Sequence, residues 1–165
     1  MRKLRLIALG ISLIGLPALC RAANHCAWIN EATASGLLGG GAVGTVTEPA
    51  AEQPVVCTFT QQDEKGQRTL RVAVEIAADA HARLVAIAEI CGSDAVPLRA
   101  IGNEALVCAA DESKNEIGER IIGRVRNQVF TITIGTTLKD DPILTRDELK
   151  SRIHTAAEQV SGNLF

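Results

Sequence analysis

Apolar residues recur along this chain with two different periods, and the switches between them mark its elements. Val55, Cys57 and Phe59 alternate with polar residues within 54–60, the pattern of a half-buried strand. Leu70, Val72, Val74 and Ile76 line one side of the next run, with Arg71, Ala73 and Glu75 on the other. The turn residues Asp63-Glu64-Lys65-Gly66 between the two runs predict a hairpin. A third strand is predicted over Glu104–Ala109. After a polar turn from Asp111 to Gly118, Glu119–Arg126 and Val129–Thr136 read as a second hairpin, reversing near Asn127-Gln128. Its second arm directs Phe130, Ile132 and Ile134 to the core.

The 3.6-residue period appears three times. Asn30 is placed to cap a short helix through Ala32, Ala34, Leu37 and Leu38, with Glu31 in its first turn. Asp79 caps a second, with Leu84, Ile87, Ala88 and Cys91 on one side and Gly92 at its end; Pro97 then lies in a loop. Thr145 and Glu148 form a capping box for a third, whose stripe is Leu149, Ile153, Ala156, Ala157 and Val160, with Gly162 as its stop. The order α-β-β-α-β-β-β-α predicts an α+β domain of two layers. Its mainly antiparallel five-stranded sheet would carry the helices on one face. Val56-Cys57-Thr58 ahead of Gly66-Gln67-Arg68 echoes Val107-Cys108-Ala109 ahead of Gly118-Glu119-Arg120, so an internal duplication stands beside coincidence.

Gly39-Gly40-Gly41-Ala42-Val43-Gly44 satisfies G-x-G-x-x-G. A dinucleotide site needs a strand before these glycines and a helix after them. Here a helix precedes and the extended Thr45-Val46-Thr47 follows, so Gly39 reads as a left-handed helix stop and no nucleotide is expected.

The first residues change the accounting. Arg2, Lys3 and Arg5 precede an apolar stretch from Leu6 to Leu16, then small residues: the layout of a secretory signal peptide. Cleavage is expected after Ala22, giving a leader of residues 1–22 and a single domain over 23–165. A lipid anchor on Cys20 is the alternative; Leu19 and Pro17 stand where a lipobox wants a small residue and a leucine. The leader holds four of the 17 basic residues and none of the 19 acids, so the mature chain has 13 bases and a net charge near −6. That balance gives no reason to expect nucleic acid. No later segment is long and apolar enough to cross a membrane.

The mature chain keeps Cys26, Cys57, Cys91 and Cys108, and an even count in an exported chain predicts disulfides. Of the three pairings, 26–57 and 91–108 each tie a helix end to the strand nearest in sequence. A redox-active bridge is the alternative role for one of them.

The run Cys26-Ala27-Trp28-Ile29-Asn30-Glu31-Ala32, closing on Leu37-Leu38-Gly39, resembles the opening of small bacterial envelope domains, mostly lipoproteins. Those read Cys-x-Leu-Ile/Leu, then a capping residue, an acid and alanine, then Leu-Gly. Cys57-Thr58-Phe59 and Gly102-Asn103-Glu104-Ala105 match their later strands. The resemblance implies a periplasmic or secreted α+β domain with a cysteine bridge, and carries no catalytic residue across.

Candidate chemistry is sparse. His25, His81 and His154 fall on separate elements without metal-ligand spacing, so neither metal nor cofactor is expected. No G-x-S-x-G elbow is present, and Asp140-Asp141 reads as a solvated loop rather than a glycosidase pair. Arg120, Arg124 and Arg126 are expected on one strand face around Ile122, and Arg71 on the polar side of its own strand. On one sheet these four would present guanidinium groups from a helix-free face, a candidate site for carboxylates or phosphates. The leading expectation is a non-enzymatic, disulfide-stapled interaction module whose partner is another envelope protein or a small ligand. The alternative is an enzyme or binder for an anionic ligand at the arginines.

Overall fold

The computed structural model describes residues 25–47, 53–110 and 116–165. The leader and its cleavage site, the Pro49 loop and most of the polar turn after Ala110 lie outside the described residues. Each predicted strand forms: β2 (Val55–Gln62), β3 (Gln67–Ile76), β5 (Glu104–Ala109), β6 (Ile117–Val125) and β7 (Gln128–Thr136). Two short strands join them, β1 (Val43–Thr47) and β4 (Val96–Leu98), so the sheet has seven strands rather than five.

Both additions are edges of the sheet, whose order is β1-β2-β3-β7-β6-β5-β4 with every pair antiparallel. Edge strands bury little, so neither shows a clean alternation of apolar residues. β4 is three residues long and contains Pro97, which suits an edge, where one side of the ladder is free. Two meanders, β1–β3 and β4–β7, are joined through the central β3–β7 pair. That pair aligns Leu70 with Ile134, Val72 with Ile132 and Val74 with Phe130.

The helices are α1 (Glu31–Leu38), α2 (Ala80–Ala88) and α3 (Arg146–Leu164), with a 3-10 turn over Glu89–Asp94. Their N-caps are those the sequence predicts, but α2 ends at Ala88 rather than at Gly92, which lies with Cys91 inside the 3-10 turn. Asn30, Asp79 and Thr145 accept from the amides of Thr33, Ala82 and Glu148. The helices do not share one face, as the sequence reading had it. The main core packs α1 and α3 against Cys57, Phe59, Leu70, Val72, Phe130, Ile132, Ile134 and Ile121. A second, smaller core packs α2 against Ile122 and Val129 on the opposite side of β6 and β7. The pattern explains this: Ile121 and Ile122 are adjacent on one strand, point oppositely and are both fully buried. A strand apolar on both sides needs cover on both sides.

Two further differences are local. The β6–β7 reversal is Arg126-Asn127, with Arg126 at φ 55° and its amide donating to Asn103 Oδ1 at 2.7 Å. Gly162 does not stop α3, which runs on to Leu164. The echo between the cysteine strands is not a structural repeat. Cys57 sits opposite Val72 in the main core, whereas Cys108 sits opposite Arg120 on the other face.

Gly39 ends α1 at φ 76°, and its amide donates to the Ser35 carbonyl. A side chain here meets both the left-handed backbone cost and the Ile143 side chain. Gly39→Ala is therefore expected to lower stability by at least about 1–2 kcal/mol in urea unfolding.

Candidate functional site

The glycine run lies between α1 and β1, so its order is helix, glycines, strand, the reverse of a phosphate cradle.

Alternation places Thr58, Arg71, Thr133 and Arg120 in one cross-strand row, on the face opposite the main core. Of the four predicted arginines the structure brings these two together, with Thr133 between them. Arg120 is buried. Arg71 is exposed and has no hydrogen bond or ion pair among the described residues. Around it stand the half-buried side chains of Thr58, Thr60, Thr69, Thr131 and Thr133, with Thr45 and Thr47 on β1 continuing the surface. A hollow of about 50 Å³ beside Arg71 is lined by Thr69, Thr133, Gly135, Ala110 and Glu116.

Arg124 and Arg126 belong elsewhere. Arg124 shares the face of Arg120, but α2 packs over that end of β6, so the face is not helix-free as expected. Arg124 Nη2 donates to Glu104 Oε1 at 2.6 Å, and the other Glu104 oxygen lies 2.8 Å from His81 Nδ1. The Arg124 hydrogen bond, and after it that of His81, hold Glu104 below the ordinary carboxylate range. Arg126 is in the turn, with its guanidinium 5.9 Å from the centre of the Phe165 ring. The predicted four-arginine cluster thus reduces to a pair, of which Arg71 is the exposed member.

The cysteines pair as expected, Cys26 with Cys57 and Cys91 with Cys108, at Cα separations of 5.8 and 5.6 Å. They staple opposite faces of the sheet.

A polar cluster the sequence reading missed lies at one end of the main core. Gln61, Arg68 and Thr136 form one cross-strand row. Asp141 answers it from the loop before α3. Arg68 Nε and Nη2 donate to its two carboxylate oxygens at 2.6 and 2.9 Å, and the Thr136 hydroxyl donates at 2.7 Å. The amides of Ile143 and Leu144 add 2.8 and 3.1 Å bonds, and Gln61 Oε1 takes Arg68 Nη1. Asp140-Asp141 is therefore not simply a solvated pair: Asp141 is buried while Asp140 is exposed. Burial pushes the Asp141 carboxyl upward, but Arg68, Thr136 and the two amides together outweigh it and hold the group far below its usual range. Five donors saturate its lone pairs, so it has none left for a substrate or metal. The signal was present in the sequence: Arg68 precedes Leu70 by two, which puts it on the core-facing side of β3.

No three His, Cys, Asp or Glu side chains converge as a metal site among the described residues. Comparison with protein-family models, with curated proteins and with solved structures returns no match to this chain.

Proposed function

We propose that this is an exported, non-enzymatic interaction module of the bacterial envelope, held by two disulfides and binding through the uncovered part of its sheet. Support for export comes from the leader pattern and from four cysteines joined in two bridges. No helix among the described residues is long and apolar enough to cross a membrane.

The observation that carries the binding reading is the uneven cover of the sheet. One face is roofed by α1 and α3, whereas α2 roofs only the β6–β7 side of the other. Over β1, β2, β3 and the near side of β7, no helix among the described residues packs on the hydroxyl-rich surface centred on Arg71. The hollow on this face, about 50 Å³, is small against the ~300–1,000 Å³ of ordinary small-molecule sites, so the face suits a protein surface better than a small substrate. A photo-crosslinking residue at Thr133 is expected to give a discrete adduct in the envelope, weakened by Arg71→Glu. The same probe at Lys150, exposed on α3, is expected to give none. Equal labelling from both positions contradicts the reading.

The exposed guanidinium of Arg71 supports a second reading, an anionic ligand held between it and the flanking hydroxyls. Inorganic phosphate would then shift the amide resonances of Thr69 and Thr133 saturably, and Arg71→Ala would abolish the shift.

A further inference from the structure

The two edges of the sheet are finished differently. β4 is blunted by its length and by Pro97. At the start of β1 and on the residue just before it, outward-facing amides are met one at a time by side chains from α1. The Ala42 amide donates to Ser35 Oγ at 2.9 Å, and the Gly44 amide donates to Glu31 Oε1 at 2.9 Å. An antiparallel ladder alternates inward and outward residues, so Val46 is the next to face away from β2. No side chain among the described residues meets its amide. Among the described residues the edge thus leaves open the N–H and C=O of Val46 and the C=O of Gly44, with the Gly44 N–H occupied only by an exposed carboxylate.

Beside these groups the space between sheet and helix opens. A cleft of about 320 Å³ runs between β1 and the start of α1, with Ile29, Phe59 and Val46 as its apolar lining and His25, Asn30 and Glu31 around them. Gly44 keeps the strand close to this cleft: a side chain there would come within 2.9 Å of the Phe59 ring.

We propose that β1 accepts an extended segment of another polypeptide as an eighth strand, with one apolar side chain of that segment seated in the cleft. The Glu31 carboxylate occupies the place of the carbonyl that the added strand brings to Gly44. Main-chain bonds along an edge give affinity, and a pocket beside it selects alternate side chains. Two features choose this occupant over a small ligand. The free groups are backbone donors and acceptors at strand spacing, and a carboxylate already mimics the missing carbonyl. The proposal rests on the reading of the protein as an interaction module, and specifies its partner as a polypeptide met edge-on.

The test uses a displayed library of random 12-residue peptides panned against the folded mature chain. Enriched peptides are expected to bind Val46→Pro about tenfold more weakly, since proline removes an outward N–H and leaves the β1–β2 bonds in place. They are expected to bind Glu31→Ala severalfold more tightly, because the competing carboxylate is gone. A control independent of protein folding methylates the peptide backbone. N-methylation of alternate amides, those facing β1, is expected to abolish binding, and methylation of the intervening ones to spare it. Failure to enrich any peptide, binding unaffected by Val46→Pro, or equal loss from both methylation registers overturns the proposal. Peptides that ignore Val46→Pro but are lost on Arg71→Glu overturn the edge site while leaving the interaction-module reading intact. Peptides that obey the edge pattern but ignore Arg71→Glu place binding at the edge rather than on the open face.

Discussion

Asp141→Ala is expected to lower the unfolding free energy by about 3–5 kcal/mol, the usual cost of stranding one member of a buried ion pair. The Arg68 side chain is 4 % exposed and that of Asp141 1 %, so without Asp141 the guanidinium cannot turn to water and its remaining ion pair is the longer 3.5 Å one with Asp63. The same substitution leaves the Thr136 hydroxyl and the amides of Ile143 and Leu144 without their acceptor. The loop before α3 is therefore expected to loosen with the pair. Changing both partners, Arg68→Met with Asp141→Leu, is expected to cost less than the sum of the single changes, because no charge is stranded. The pH dependence has a definite sign. The folded state holds this carboxyl below its ordinary 3.8, so its contribution is whole above that value and is lost as pH falls beneath it. Urea unfolding across pH 2–7 should show a steep acid loss in the wild-type chain and a flatter one in Asp141→Asn. Parallel acid limbs in the two proteins would contradict this assignment.

The same row of residues shows what the sequence did and did not reveal. Alternation in β3 separates Leu70, Val72 and Val74 from Arg71 and Ala73, and the structure keeps that division. Extended one step backwards it places Arg68 among the apolar residues. Extended one step forwards in β7 it places Thr136 there, and in β2 it does the same for Gln61. Three polar residues on core parity in three neighbouring strands predict a buried polar row, which must be satisfied from elsewhere. The strands are not neighbours in sequence, however, and β3 meets β7 across more than fifty residues. Nothing local announces that pairing, so the partner loop carrying Asp141 was unreadable in advance.

Helix starts were readable because caps act over three or four residues; Asn30, Asp79 and Thr145 behave as their local chemistry dictates, as does the stop at Gly39, whereas the stops expected at Gly92 and Gly162 do not end their helices. The edges and the faces were not. β1 has only five residues and none of them is buried, so no apolar pattern marks it. The side on which α2 packs depends on Ile122 and Val129, one residue out of step with Ile121 and Phe130. A strand apolar on both sides does not say which helix covers which side. That ambiguity is why four arginines seemed to share a bare face, when α2 covers the end that holds Arg124.

Removing Cys26–Cys57 is expected to cost about 4 kcal/mol and removing Cys91–Cys108 about 3 kcal/mol, from the loop-closure entropy of separations of 31 and 17 residues. The first bridge reaches into the main core, where Cys57 is fully buried; the second pins the 3-10 turn to β5, with Cys91 and Cys108 also buried. Thiol exchange needs an attacking thiolate at the sulfur, so both bridges are expected to resist mild glutathione in the folded protein and to open only with denaturant. Alkylation followed by mass spectrometry separates this from the redox-active alternative, in which one pair becomes labelled without unfolding. Together the two bridges represent about 7 kcal/mol, a large share of the 5–15 kcal/mol by which domains are ordinarily stable. The reduced chain is accordingly expected to be largely unfolded at 37 °C. Two bridges on opposite faces of one sheet suit a compartment where thiols stay oxidised, which agrees with the export proposed above.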